Sequence, residues 1–199
     1  MLPPILDSEG RKITYFSSLQ PQELTLDVLL VLTALIGAVT DARSGKIYNW
    51  LTFPAMVMGL AINTGLKGYA GFKLSVFGLA AGIGMQFIPW TLGLVKGGDV
   101  KFLGAAGALK GPAFVFYGFL YGAALFGLFA IVALGVRGDL RKSLINIREL
   151  LRSWVVLRTD TEPGEPASKA YMPWGLALAL GFLVALALEL TIGTPYWFR

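Results

Sequence analysis

The sequence predicts an all-α fold: a polytopic membrane helix bundle of about six transmembrane helices, with one amphipathic helix lying in the membrane surface. Three observations carry this prediction. Only 15% of the 199 residues are charged and 55% are hydrophobic, whereas a soluble domain carries about 25% charged residues. Mean hydropathy is +0.66. The length accommodates roughly six spans of about 20 residues with short connections, which makes one bundle the natural domain.

The first span is expected from about Leu24 to Thr40, and Asp27 near its start confines the hydrocarbon segment to Val28 through Val39. A polar turn containing Asp41, Arg43, Ser44, Gly45, Lys46 and Asn49 follows. Trp50 stands where an interfacial aromatic opens a second span, Leu51 to about Ile62, which Asn63 to Gly68 ends. A third runs from Phe72 to Val95, with Gly78, Gly82 and Gly84 as a small-residue face for close helix contact. Val100 to Leu109 is apolar but has about half the usual length. It reads as a short span, a re-entrant segment or the start of the next helix. The break at Lys110-Gly111-Pro112 favours a short fourth span followed by a full fifth, Ala113 to Val136.

Gly138 to Ala170 is the one long polar stretch. Leu140, Leu144, Ile147, Leu151, Trp154 and Val155 recur there at helical spacing between arginines, the pattern of a surface helix, and a flexible loop from Thr159 to Pro166 follows. The last span is about Met172 to Leu188, closed by Tyr196, Trp197 and Phe198. The organisation expected is therefore a polar segment over 1–23 without a cleavable signal, a membrane-embedded domain over 24–190 that includes the 138–171 loop, and an aromatic tail over 191–199. No internal repeat is evident.

A net charge of +5 fits positive-inside loops and anionic lipid headgroups better than nucleic acid. The chain contains no histidine and no cysteine. Ser-His and Cys-His nucleophiles, thiolate sites and zinc sites built on those ligands are thereby excluded. Carboxylate, lysine, hydroxyl and backbone remain, and no cofactor or metal is expected.

Of 12 acidic residues, eight lie in aqueous segments and four touch apolar spans: Asp27, Asp41, Asp99 and Glu189. The basic residues divide unequally between the two sides of a six-span topology. Asp41 and Asp99 both fall on the richer side, which the positive-inside rule makes cytoplasmic. Merging the fourth and fifth spans leaves them there. Asp27 and Glu189 map to the outer ends, where bulk water is expected to solvate them, so only Asp41 and Asp99 are expected to meet. Two adjacent carboxylates cannot both ionise, and the pair holds one proton. The ionised member takes a proton from water while the protonated one polarises a peptide carbonyl.

Around Asp99 stand Lys96, Gly97, Gly98 and Lys101. Bare backbone at Gly97 and Gly98 suits close approach of an extended peptide and unusual dihedrals. Lys101 is placed to bias proton sharing or to hold a substrate carbonyl. The structural reading of the same residues is Asp99 as a helix cap and Asp41 as a solvated turn residue. Gln86, inside the third span, is open to bonding either a substrate backbone or a neighbouring helix.

These residues resemble the type IV prepilin peptidases, membrane aspartic proteases. The family's first motif is an aspartate ending a helix, basic and small residues, then Ile-Pro-Asn and an apolar span. Asp41, Arg43, Lys46, Ile47, Asn49, Leu51 and Thr52 match it, with Tyr48 at the proline. Its second motif, Gly-x-Gly-Asp with Val-Lys and a small-residue helix, is similar to Gly98, Asp99, Val100, Lys101, Ala105, Ala106 and Gly107, with Lys96 at the first glycine. Met172-Pro173-Trp174-Gly175 is similar to the Pro-Phe-Gly of the family's last helix.

The resemblance covers roughly Leu24 to Leu190. It implies an aspartic endopeptidase of the cytoplasmic membrane whose catalytic residues are Asp41 and Asp99, supported by Gly97, Gly98 and Lys101. The implied partners are prepilin-like or pseudopilin substrates, cut on the cytoplasmic face before their apolar helix, in type IV pilus assembly or protein secretion. Without cysteines, N-methylation is not expected, as in the short members associated with Flp-type pili or preflagellin-like processing. Two other classes fit the composition. One is a non-catalytic assembly factor of a pilus or secretion machine, favoured by Lys96. The other is a small ion or solute transporter, which calls for charges near the bilayer midplane and repeated halves.

Overall fold

The computed structural model describes residues 21–137 and 173–192, and these are all helix apart from short turns. The helices are α1 (Pro21–Ser44), α2 (Asn49–Thr91), α3 (Gly97–Lys110), α4 (Pro112–Arg137) and α5 (Trp174–Ile192). The fold is an all-α membrane helix bundle. Four helices, all but α3, are long and apolar enough to cross a membrane. The surface helix expected after Gly138, the N-terminal polar segment up to Gln20 and the closing aromatic tail lie outside the described residues.

Among the described residues there are five helices rather than six because the second and third expected spans are the two arms of α2, which meet at a break. At 43 residues α2 would extend about 65 Å if straight, twice a hydrocarbon core. It breaks at Gly68, whose φ of 56° and ψ of −135° suit glycine alone. The Ser75 hydroxyl donates to the Gly59 carbonyl at 3.2 Å, although 16 residues of continuous helix would part them by about 24 Å. The two arms of α2 therefore run antiparallel. The expected end of the second span at Asn63 is overtaken, because helix continues to the break.

Small residues set the α2–α3 interface. A Cβ on Gly78 would overlap the Gly107 carbonyl, and one on Gly82 would sit 2.5 Å from the Leu103 carbonyl oxygen. Gly84, expected on the same face, meets nothing within 4 Å. Two polar side chains are consumed in this close packing. The Asn63 amide nitrogen donates to the carbonyls of Gly59, Ala108 and Leu109, and Ser75 also reaches Ala108 at 2.8 Å.

Gly111, with φ of 89°, ends α3, and Pro112 starts α4, which confirms the break expected between them. On α1, Leu26, Leu30, Ala34, Gly37 and Asp41 share the buried face while Val28, Leu32, Leu35 and Val39 are exposed, as a lipid-facing side requires. Phe102 of α3 lies against Gly37 of α1, and its ring is 5.2 Å from that of Phe182 on α5. The described residues fall into two compact units, one with α1, α2, α3, α5 and α4 up to Ala123, and one beginning at Ala124. In the second unit Leu128, Phe129, Ile131, Val132 and Val136 of α4 are exposed.

The expectation of solvated outer acids is corrected here. Asp27 and Glu189 are 5% and 7% exposed, and Lys110 at the end of α3 bridges them at 2.6 Å and 3.3 Å. The cause is helix length. The stretches Asp27 to Asp41, Asp99 to Lys110 and Leu176 to Glu189 are nearly equal, so helices that converge at one end converge again at the other.

Candidate active site

Asp41 occupies the last turns of α1, where Gly45, with φ of 62°, donates its N–H to the Asp41 carbonyl at 2.8 Å and turns the chain. Its side chain is not a solvated turn residue. It is 1% exposed, and its Oδ2 accepts the Leu176 N–H at 3.1 Å, across 135 residues of sequence. The carboxylate thus satisfies an open N–H in the first turn of α5 and rests on the positive end of that helix.

Gly175 makes this contact possible. A Cβ there would lie 2.8 Å from Asp41 Oδ2 and 2.7 Å from the Ile47 side chain. Gly175→Ala is therefore expected to push the carboxylate off the α5 terminus. Any activity that depends on Asp41 should fall by at least tenfold while the protein still inserts; activity measured per unit of membrane-inserted protein checks this.

Asp99 stands in the first turn of α3 and is 4% exposed. Lys96, not Asp99, is the N-cap residue; Asp99 Oδ2 accepts the Lys96 backbone N–H at 3.1 Å from three residues further on. Burial pushes the Asp99 carboxyl up, and the negative charge of Asp41 pushes it further. The Lys96 N–H bond and ammonium pull it down, and the balance leaves it raised from 3.8 to about 6. The two aspartates thus share one end of the bundle and feel each other electrostatically.

The predicted supporting residues each have local contacts or positions of their own. Gly97 and Gly98 lie in the first turn of α3 and neither has a positive φ. Gly98 is bare because the Ile47 carbonyl oxygen would be 2.9 Å from its Cβ; the glycine seats the α1–α2 turn on α3. Lys101 does not turn to the aspartates. It donates to Asn49 Oδ1 at 2.9 Å and lies 5.3 Å from the Phe53 ring, bracing α3 against α2. The Lys96 ammonium donates to the Gly45 carbonyl at 2.6 Å.

Between the α1–α2 turn and the start of α3 opens a cleft of about 210 Å³ lined by Lys46, Ile47, Tyr48, Asn49, Lys96 and Gly98. Exposed Trp50 and Trp90, in the first and last turns of α2, mark this end as interfacial. Among the described residues no group of three or more His, Cys, Asp or Glu is placed to hold a metal ion. Gly175 and Leu176 escaped the sequence reading as site residues. The one signal for them was the similarity of Pro173-Trp174-Gly175 to a family motif, which carried no role.

Residues 28–132 match the model of the type IV leader peptidase family. The chain belongs to the type IV leader peptidase family. The matched stretch includes both aspartates and ends before α5, so the Asp41 contact with α5 is supplied by folding. Neither the curated proteins nor the solved structures contain a match. Family and fold together make it a multi-pass membrane protein with a leader-peptidase type of function.

Proposed function

We propose that this leader peptidase is an aspartic endopeptidase that removes the basic leader of prepilin-type substrates, using Asp41 and Asp99 to activate water. The observation that carries the reading is the burial of two carboxylates from different helices, each on a helix N-terminus, at one end of the bundle. A buried carboxylate is costly unless paired or hydrogen-bonded. Keeping two of them within electrostatic reach is a cost that a purely structural cap has no reason to bear.

In this mechanism Asp99 carries the proton shared by the pair. Asp41, fixed by the Leu176 N–H, is the base that deprotonates water. Asp99 hydrogen-bonds the scissile carbonyl and then passes its proton to the leaving amine, while the attacking hydroxide becomes part of the new carboxylate. Gly98 and Lys101 contribute by seating α3, through Ile47 and Asn49, and Gly97 by continuing its first turn. The cleft beside Lys96 is where the substrate strand approaches. The membrane is the cytoplasmic one, with the site toward the cytoplasm, as the charge distribution of the loops favours.

The test is to mix the purified protein in detergent with a prepilin-type substrate and measure the masses of both products. One cut just before the substrate's apolar helix is expected. A panel of such substrates left intact would contradict the proposal and favour an assembly factor.

A pH prediction follows. A carboxyl raised to about 6 keeps its proton below that pH and loses it above. The one-proton state of the pair is lost in the same direction, so kcat/KM, which reports free enzyme, falls as pH rises through about 6. Lys96→Met removes a cation that holds Asp99 down, and should move this alkaline limb to higher pH in a pH–rate profile.

A further inference from the structure

We propose that Gln86 is a substrate-binding residue, its side-chain amide pairing with the backbone of the peptide held at Asp41 and Asp99; this rests on the function proposed above. Gln86 is fully buried, and among the described residues neither its Nε2 nor its Oε1 has a hydrogen-bond partner. A primary amide offers two N–H donors and a carbonyl acceptor, so all of its capacity is unused. Leaving such a group unpaired within the protein costs stability, and an apolar residue of the same shape would avoid that cost.

Its position connects it to the site. Gly78 faces Gly107 and Gly82 faces Leu103 across the antiparallel contact of the second arm of α2 with α3. One more turn along the same face brings Gln86 level with Asp99. The first arm adds a second group of the same kind. Gly59 lies opposite Ser75 and Asn63 opposite Gly71 in the α2 hairpin, which puts Thr52 opposite Gly82, about one turn from Gln86. Thr52 is also fully buried, and its Oγ1 has no partner among the described residues.

The contrast along this interface is the core of the argument. Toward Gly68, Ser75 and the Asn63 amide nitrogen bond backbone carbonyls exposed by the close helix packing, and of these two side chains only the Asn63 Oδ1 meets no partner among the described residues. Toward Asp99, the same helices present Thr52 and Gln86 with nothing bonded. Polar side chains that only tie helices together belong to the first kind. The second kind sits in the layer that a peptide must enter, because Asp99 and Asp41 are themselves 4% and 1% exposed. An extended peptide carries an N–H and a C=O on its edge, and the amide of Gln86 answers both.

The test compares wild type, Gln86→Leu, Thr52→Val and Asp99→Asn in the purified cleavage assay, together with melting temperature in the same detergent. Gln86→Leu is expected to lower kcat/KM at least tenfold, with an unchanged or raised melting temperature and an unmoved alkaline limb. Thr52→Val is expected to lower kcat/KM about threefold. Activity of Gln86→Leu within threefold of wild type would overturn the proposal. So would a loss that comes with a lower melting temperature, which makes Gln86 structural, or with a shifted limb, which makes it act through Asp99. If Gln86→Leu does not accumulate, Gln86→Met takes its place under the same criteria. Cleavage by wild type that Asp99→Asn abolishes upholds the peptidase reading whatever Gln86→Leu does; no cleavage by wild type removes both.

Discussion

Asp41→Asn and Asp99→Asn should each lower leader cleavage by about three orders of magnitude, with each variant accumulating in the membrane at wild-type levels. The size follows from the loss of general acid–base catalysis, worth about 10² to 10⁴ in rate. Asparagine keeps the shape of aspartate and an acceptor oxygen. Asn at position 41 can still receive the Leu176 N–H, and Asn at position 99 the Lys96 N–H, so the two helix termini stay satisfied. What disappears is the ability to take up or release a proton. Leader processing followed by the mass shift of a co-expressed prepilin-type substrate, normalised to membrane-inserted enzyme, measures the effect.

Lys110→Met should lower stability by about 3–5 kcal/mol, the usual result of removing one partner from a buried ion pair. Lys110 is the cation between two carboxylates that are nearly buried, and Glu189 Oε2 already lacks a partner. Without the ammonium, two negative charges face each other at the end where α1, α3 and α5 converge. Adding Asp27→Asn and Glu189→Gln to Lys110→Met should restore most of the loss, because the charges that needed compensation are then absent. Unfolding in detergent followed by circular dichroism measures both variants. Activity should fall with stability, since these helices carry Asp41, Asp99 and the Leu176 N–H.

Much of the fold was legible in the sequence because lipid exposure demands long apolar runs and punctuates them with recognisable breaks. Gly111-Pro112 separated α3 from α4 as expected. Gly68 was legible as an end, but not as a reversal between the two arms of α2, since a glycine at a helix end and one at a sharp reversal look alike. Asp27 and Glu189 were misread for a physical reason: a charge at the edge of an apolar segment normally reaches water, and only the matched lengths of three helices bury these two with Lys110.

Within the candidate site, Asp41 and Asp99 stood out because few acidic residues touch apolar spans. Their local supports were harder to see. Gly98 was noticed as bare backbone for a substrate, whereas it accommodates Ile47. Gly175 meets Asp41 only through the tertiary fold, so no local pattern contains the contact. Gln86 was visible as a polar residue in an apolar helix. That its amide meets no partner among the described residues is a property of packing, which sequence does not record.

If the two aspartates act as one catalytic unit, a double-mutant cycle will show it. Cleavage rates would be measured for wild type, Asp41→Asn, Asp99→Asn and the double variant, all purified and folded. Residues that share one task are strongly non-additive. The account predicts that the double variant is no slower than either single variant within a few-fold. Losses that multiply, or a single variant that keeps near wild-type activity, would contradict it.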